Sequence, residues 1–137
     1  MVADLAKEAQ KENLTDVLPA LNGYDFSIVV NNAGADILDY YHNLSVEQIF
    51  HIINLNCLAV LALTYKYAMI FKEKTKGGKH CAILNVGSIA GKFYHNSGEI
   101  PIPLFDIYTA SKGYVTKLTK NLSMELPQID WVLLNPS

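Results

Sequence analysis

What this 137-residue chain lacks narrows its roles before any motif is read. Only two cysteines are present, Cys57 and Cys81, both in apolar runs and without CxxC spacing. That pattern argues against a disulfide framework or a thiolate metal site and predicts buried thiols of an intracellular protein. His42, His51, His80 and His95 form no HxH or HxxxH pair, so no histidine metal site is expected. Neither sign of charge dominates: 11 Lys+Arg against 13 Asp+Glu give a net charge of −2. Nothing there calls for nucleic acid or an anionic membrane as partner. The longest strictly apolar run, "CLAVLAL" (57–63), falls well short of the ~20 residues that span a bilayer. No signal peptide opens the sequence, so the sequons at Asn13, Asn43 and Asn121 carry no weight. The chain as given reads as soluble and cytoplasmic.

What is there is ordinary globular material, 50% apolar and 18% charged. No repeat, linker or low-complexity segment divides it, and a single domain over 1–137 is expected. Residues 4–18 have helical composition, with Asp4 placed to cap the start. "FSIVV" (26–30) is a short β-branched run that fits a strand buried on both faces, closed by "NNAG". "SVEQ" (45–48) is a capping box and opens a helix over roughly 46–73, stopped by "KGGK". The basic stretch "KEKTKGGK" (72–79) reads as a solvated turn. "CAILNV" (81–86) is a second buried strand. After a polar, Pro-containing loop, a helix over 108–125 sets Ala110, Tyr114, Leu118, Leu122 and Leu126 on one stripe. "WVLLN" (131–135) is a third buried strand.

The order βαβαβ with apolar strands implies a parallel sheet, and such sheets bind ligands at the carboxyl ends of their strands. All three ends carry candidate residues, in "NNAG", "GS" and "NPS". The helix from Ile49 to Phe71 is apolar on nearly every face, more than one sheet contact needs, and predicts a second neighbour. A homodimer contact is the preferred expectation and a partner domain the alternative.

Tyr108 and Lys112 lie one helical turn apart. A phenol ordinarily holds its proton until ~10, and an ammonium one turn away favours the phenolate. Such a pair suits proton transfer to or from a substrate oxygen. Ser88, just past a strand, could hydrogen-bond a reacting carbonyl. Asn56, an amide inside an apolar helix, is costly without partners or a role.

Together "NNAG" (31–34), Asn56 in "INLNCLAV", Ser88 in "ILNVGSIAG" and "YTASK" (108–112) resemble the short-chain dehydrogenase/reductase family, in that family's order and over essentially the whole chain, 4–137. "PIPLFDIYTASK" and "LLNPS" further resemble its branch of 3-ketoacyl-CoA reductases and 17β-hydroxysteroid dehydrogenases. The resemblance implies hydride transfer between NAD or NADP and a ketone or secondary alcohol, with NADP slightly preferred. It implies Tyr108 as general acid/base and Lys112 on the nicotinamide ribose. Ser88 would position the substrate oxygen, and Asn56 would hold a water in the proton relay. Asn32, Ala33 and Gly34 would line the adenosine side, with Asp4 near the adenine. It also implies a homodimer or homotetramer through helices 46–73 and 108–125, and a parent protein associated with the endoplasmic reticulum membrane.

The pattern departs from the family in three places. The Gly-rich turn T-G-x-x-x-G-x-G is absent, "NGYDF" and "GG" being isolated turns, so the pyrophosphate grip is missing. Ser88 and Tyr108 are 20 positions apart, about seven more than the family's usual gap, with the surplus in "KFYHNSGEI" (92–100). The chain ends at Pro136-Ser137, without the segment that closes over substrate. The expected fold is therefore a partial Rossmann-type doubly wound α/β domain, lacking the N-terminal Gly-rich βαβ units and the C-terminal substrate segment. Three readings follow: a fragment of a full-length reductase, a non-catalytic interaction subunit docking through the apolar helix, or one half of an enzyme whose partner chain supplies the rest.

Overall fold

In the computed structural model, residues 3–92, 94–95, 98–99 and 101–137 are described, without side chains for residue 92 or the two short segments after it. The strands β1 (Ile28–Asn31), β2 (Ala82–Val86) and β5 (Asp130–Leu134) form one parallel sheet in the order β1-β2-β5. Val30 pairs with Leu84, and Leu84 with Val132, so the rows of the sheet are in step across all three strands. Two further strands, β3 (Tyr94–His95) and β4 (Gly98–Glu99), pair antiparallel inside the surplus segment. How that segment sets Ser88 against Tyr108 lies outside the described residues.

Helices α1 (Leu5–Glu8), α2 (Val46–Ile53), α3 (Ala59–Lys76) and α4 (Asp106–Glu125) complete the fold. Helix α3 lies over β1 and β2, and α4 lies over β2 and β5, both on the same face of the sheet. The core forms there, where Val17, Ala62, Phe71 and Ile83 are at most 1% exposed. The expectation of strands buried on both faces is therefore corrected. Their burial alternates, and Ile28, Val30, Val132 and Leu134 are 66%, 56%, 43% and 52% exposed on the opposite face. The total accessible surface, 8285 Å² for 15.2 kDa, exceeds the ~7,100 Å² expected of a monomer of that mass. The cause is that no described element covers the second face, and a pleated strand packed on one side buries only every other residue.

Between sheet and helices runs a buried polar chain. Asn31 Nδ2 donates to Thr64 Oγ1 (3.1 Å) and to Asn85 Oδ1 (2.8 Å), and Asn85 Nδ2 donates to Thr119 Oγ1 (2.9 Å). It accounts for a second correction. On α4 the expected apolar stripe does not face the core; Ser111, Lys112, Val115, Thr116 and Thr119 do. Ala110 and Tyr114 are exposed, while Leu118, Leu122 and Leu126 are partly so. Thr119 takes up Asn85 from β2 and Ser111 takes up Asn56 from the helix across from it, because buried amides need partners.

The helix expected over 46–73 is observed as a continuous run, Val46–Lys76, opened by the Ser45/Gln48 capping box. A π turn, Asn54–Leu58, interrupts it at Asn56. The run of 31 residues is long and apolar enough to cross a membrane by length and composition, which the shorter strictly apolar run did not indicate. One face of it packs on the sheet. The other exposes Val46, Phe50, Ile53, Tyr65 and Met69 at helical spacing, so the surplus of apolar side chains noted in the sequence is a real surface stripe.

The helical reading of 4–18 shrinks to four residues. Asp4 does cap α1, accepting from the Ala6 N–H at 3.1 Å. Tertiary partners then divert the chain. Glu8 accepts from Lys11 Nζ and from the Leu18 N–H, and Asn13 caps a 3-10 turn over Leu14–Asp16. The buried ammonium of Lys66 donates to the Val17 carbonyl at 2.6 Å. The 72–79 stretch is likewise more than a solvated turn. Lys74 and Lys79 both bind the Asp25 carboxylate, and Lys74 also donates to the Phe26 carbonyl, clasping the end of α3 to the entry of β1. The two lysines hold the Asp25 carboxyl at about 2, below its ordinary value. A depressed folded value contributes stability that is present above ~4 and lost as pH falls toward 2. The melting temperature should therefore fall more steeply over that range for the wild-type chain than for Asp25→Asn; parallel acid profiles would show the clasp to be inert.

Candidate active site

The carboxyl ends of the three strands and the first turns of α4 enclose a cleft of about 350 Å³. β1 delivers Asn32 and Gly34, β2 delivers Val86 and Gly87, α4 delivers Tyr108 and Lys112, and Pro136 follows β5. Phe105, one residue before α4, also lines it and stacks edge-on against Tyr108 at 6.2 Å.

Lys112 is 5% exposed and donates to the Val86 carbonyl at 2.9 Å, which ties the first turns of α4 to the end of β2. Its Nζ lies 5.7 Å from the Tyr108 ring centroid. Burial pushes the Lys112 ammonium below the ordinary lysine value, with Cys57 pulling it partly back. Conversely, burial pushes the Cys57 thiol up while Lys112 draws it down. A Cβ on Gly34 would stand 3.3 Å from Lys112 Nζ and 3.4 Å from Asn56 Oδ1. Gly34 thus leaves open the space above the two polar groups that converge there.

Asn56 has its amide engaged. Its Oδ1 accepts from the Ala35 N–H (2.9 Å), and its Nδ2 donates to the Ala35 carbonyl (2.8 Å) and to Ser111 Oγ (3.0 Å). Ser88 is buried, and its hydroxyl accepts from the Ala90 N–H at 3.1 Å. A short turn follows it, Ile89–Lys92, whose Gly91 meets α4 backbone to backbone. A Cβ there would lie 2.6 Å from both Gly113 N and Lys112 C.

Of the residues singled out from sequence, Asn32, Gly34, Tyr108 and Lys112 share one cleft. Asn32 and Ala33 also face an adjoining hollow of about 140 Å³ with Leu5, Leu55 and Val60. Asp4 lines neither; it borders a groove between α1 and α2. Ser88, 7% exposed, is not among the residues that line the cleft. The sequence reading missed Ser111 and Gly91. Both sit inside motifs that were read for other members, and a serine at a helix interior position was the available signal for the first.

A parallel α/β layer with a tyrosine and a buried lysine at its strand ends defines a Rossmann-type class. The chain belongs to the short-chain dehydrogenase family, whose model matches residues 1–136. It is 30% identical over 126 residues to the human very-long-chain 3-oxoacyl-CoA reductase, covering 88% of this chain and 37% of that protein. Against the NADP-dependent 3-hydroxy acid dehydrogenase of Schizosaccharomyces pombe it is 31% identical over 102 residues, 74% of this chain and 35% of that one. The 3-ketoacyl-(acyl-carrier-protein) reductase of Brucella melitensis, solved with NADH, superposes with a TM-score of 0.78 at 35% identity, over 98% of this chain and 53% of its own. The chain therefore spans about a third of the length of these curated relatives and about half of the solved one.

The residues present fit one end of a dinucleotide. Among the described residues the only hydrogen-bond partner of Lys112 Nζ is the Val86 carbonyl, which leaves donors for ribose hydroxyls. For the pyrophosphate the chain offers no Gly-rich turn. The Gly91 contact is directly testable. Backbone atoms cannot rotate away from a new methyl, so Gly91→Ala should cost ~1–3 kcal/mol, read as a lower urea midpoint. A wild-type midpoint would mean that the turn and α4 are not held at this distance.

Proposed function

We propose that this chain carries the catalytic part of an NAD(P)(H)-dependent short-chain oxidoreductase that interconverts a ketone and a secondary alcohol. The observation that carries the reading is the Lys112–Tyr108 pair in a cleft roofed by a residue without a side chain, Gly34. When bound, the nicotinamide supplies or accepts the hydride. Tyr108 gives its phenolic proton to the carbonyl oxygen in reduction and takes it back in oxidation. Lys112, fixed by Val86, holds ribose hydroxyls with its remaining donors and places a positive charge beside the phenol. Ser88 orients the substrate oxygen, and for that its hydroxyl turns from the Ala90 N–H toward the cleft. Asn56 holds a water in the proton relay, and Asn32, Ala33 and Gly34 line the path toward the adenosine, with Asp4 beyond. NADP is preferred to NAD, in line with the named cofactor of the yeast relative.

Two measurements test this. Titration of the chain with NADPH and, in parallel, NADH separates a site completed by self-association, which gives saturable quenching, from a fragment or scaffold, which gives none while folded. Tyr108→Phe should lower turnover of a ketone by ~10²–10⁴-fold with little change in cofactor affinity. A Phe variant that keeps most of its turnover would remove Tyr108 from the chemistry.

A second reading is favoured by the bare sheet face and the stripe on α2 and α3. In it the chain is an interaction subunit, or takes the missing half from a partner chain or from further copies of itself. Phe50→Glu, at a position 61% exposed, should then lower the oligomeric mass in light scattering without changing the circular dichroism spectrum. A mass unchanged by that substitution would leave the stripe without a partner.

A further inference from the structure

We infer that Ser111 is a positioning residue that couples the loop after β1 to the catalytic turn of α4 through Asn56, an inference that rests on the function proposed above. Ser111 is 1% exposed, and its hydroxyl has two partners on two elements. It accepts from Asn56 Nδ2 at 3.0 Å and donates to the Tyr108 carbonyl, three residues back, at 2.7 Å. Asn56 in turn holds both backbone polar groups of Ala35, the residue after Gly34. One unbroken chain of hydrogen bonds therefore runs from the roof of the cleft, across the π turn, to the main chain of the proton-transferring residue.

The chemistry of each member explains why it is there. A serine is a poor helix-interior residue, and alanine would fill the same space more favourably. Its hydroxyl matters because it alone can take up the second Nδ2 hydrogen of a buried amide while giving its own proton to a carbonyl. Without it that hydrogen would be left unpaired in the core, and the amide could relax only by turning away from Ala35. The π turn serves the same geometry, since an extra residue in the helix swings a side chain out of its α-helical direction. Lys112, the next residue, points into the cleft while Ser111 points across to α2 and α3. The helix thereby registers on two neighbours at once, through Val86 and through Asn56.

Amide hydrogen exchange on the 137-residue chain, with Ser111→Ala and Ser111→Thr beside the wild type, tests the coupling. Exchange of the Ala35 amide should accelerate roughly tenfold in Ser111→Ala, with Ile83 and Leu84 of β2 unchanged, and return toward wild type in Ser111→Thr, which keeps the hydroxyl. An unchanged Ala35 rate, equal acceleration throughout β2, or a folded threonine variant that fails to restore protection would each overturn the inference. Turnover is the second readout: Ser111→Ala should lower kcat for a ketone while leaving its KM in place. A loosened Ala35 with wild-type kcat would overturn the link to the catalytic turn. A wild-type chain with the expected exchange pattern but no turnover would count against the proposed function and leave the coupling standing.

Discussion

The strand ends depend on the hydrogen-bonded chain buried just beneath them. Asn85 is fully buried at the centre of the sheet, and its amide joins β1 through Asn31 to α4 through Thr119. Slipping any of these elements by one residue would strand amides and hydroxyls in an apolar core, a larger penalty than loss of generic contacts. The register is thus fixed by polar pairing, while Phe71, Ile83 and Ala62 supply the hydrophobic driving force. Gly34 and Ser88 each lie three residues past an asparagine of this chain. Their placement follows from its geometry.

The same packing explains the lopsided surface. Two helices pack on one side, where Thr64 and Thr119 pair with Asn31 and Asn85, and the rows of Ile28, Val30, Val132 and Leu134 point the other way with nothing described against them. Parallel strands are ordinarily covered on both faces, because crossovers place helices there. β1 is moreover an edge in the described sheet, four residues of "IVVN" without the lysine, proline or bulge that usually protects an edge. Two independent features, a bare face and an open edge, meet at β1. β5, the other edge of the described sheet, carries the exposed residues Val132 and Leu134 as well, so both edges adjoin the uncovered face.

The sequence disclosed the order of elements, the parallel sheet, the capping box and the strand-end location of the cleft. Each is set by local composition or by the short list of ways βαβ units connect. It misjudged what depends on distant neighbours. Burial of β1 and β5 could not be read, since an apolar run has the same appearance whether one face or two are covered. The orientation of α4 was inverted because periodicity counts apolar residues, whereas here Thr119 faces inward to meet Asn85 of β2 and Ser111 to meet Asn56 of the π turn. The N-terminal helix was overestimated because Glu8 and Lys66 bind the backbone at Val17 and Leu18, contacts that helix propensity does not contain. Among the candidate residues, Tyr108, Lys112, Asn32 and Gly34 were legible from motif spacing. Ser111 lies within the same motif, where spacing alone does not set it apart from its neighbours.

The contrast between a well-built cleft wall and the absence of a Gly-rich turn from the sequence has a structural origin. Asn56, Ser111, Tyr108 and Lys112 belong to two elements, the π turn and α4, that contact one another directly through the Asn56–Ser111 hydrogen bond. The phosphate-binding turn of a doubly wound fold lies in a different βα unit, and its absence does not disturb these contacts. Lys112 shows where the two halves would communicate. Burial works against its charge, and among the described residues it has a carbonyl partner but no carboxylate. A buried ammonium in that state is stabilised by any ligand that brings hydroxyls or negative charge to its open side. A ligand of that kind would raise the strength with which Lys112 holds its proton, against the burial that lowers it.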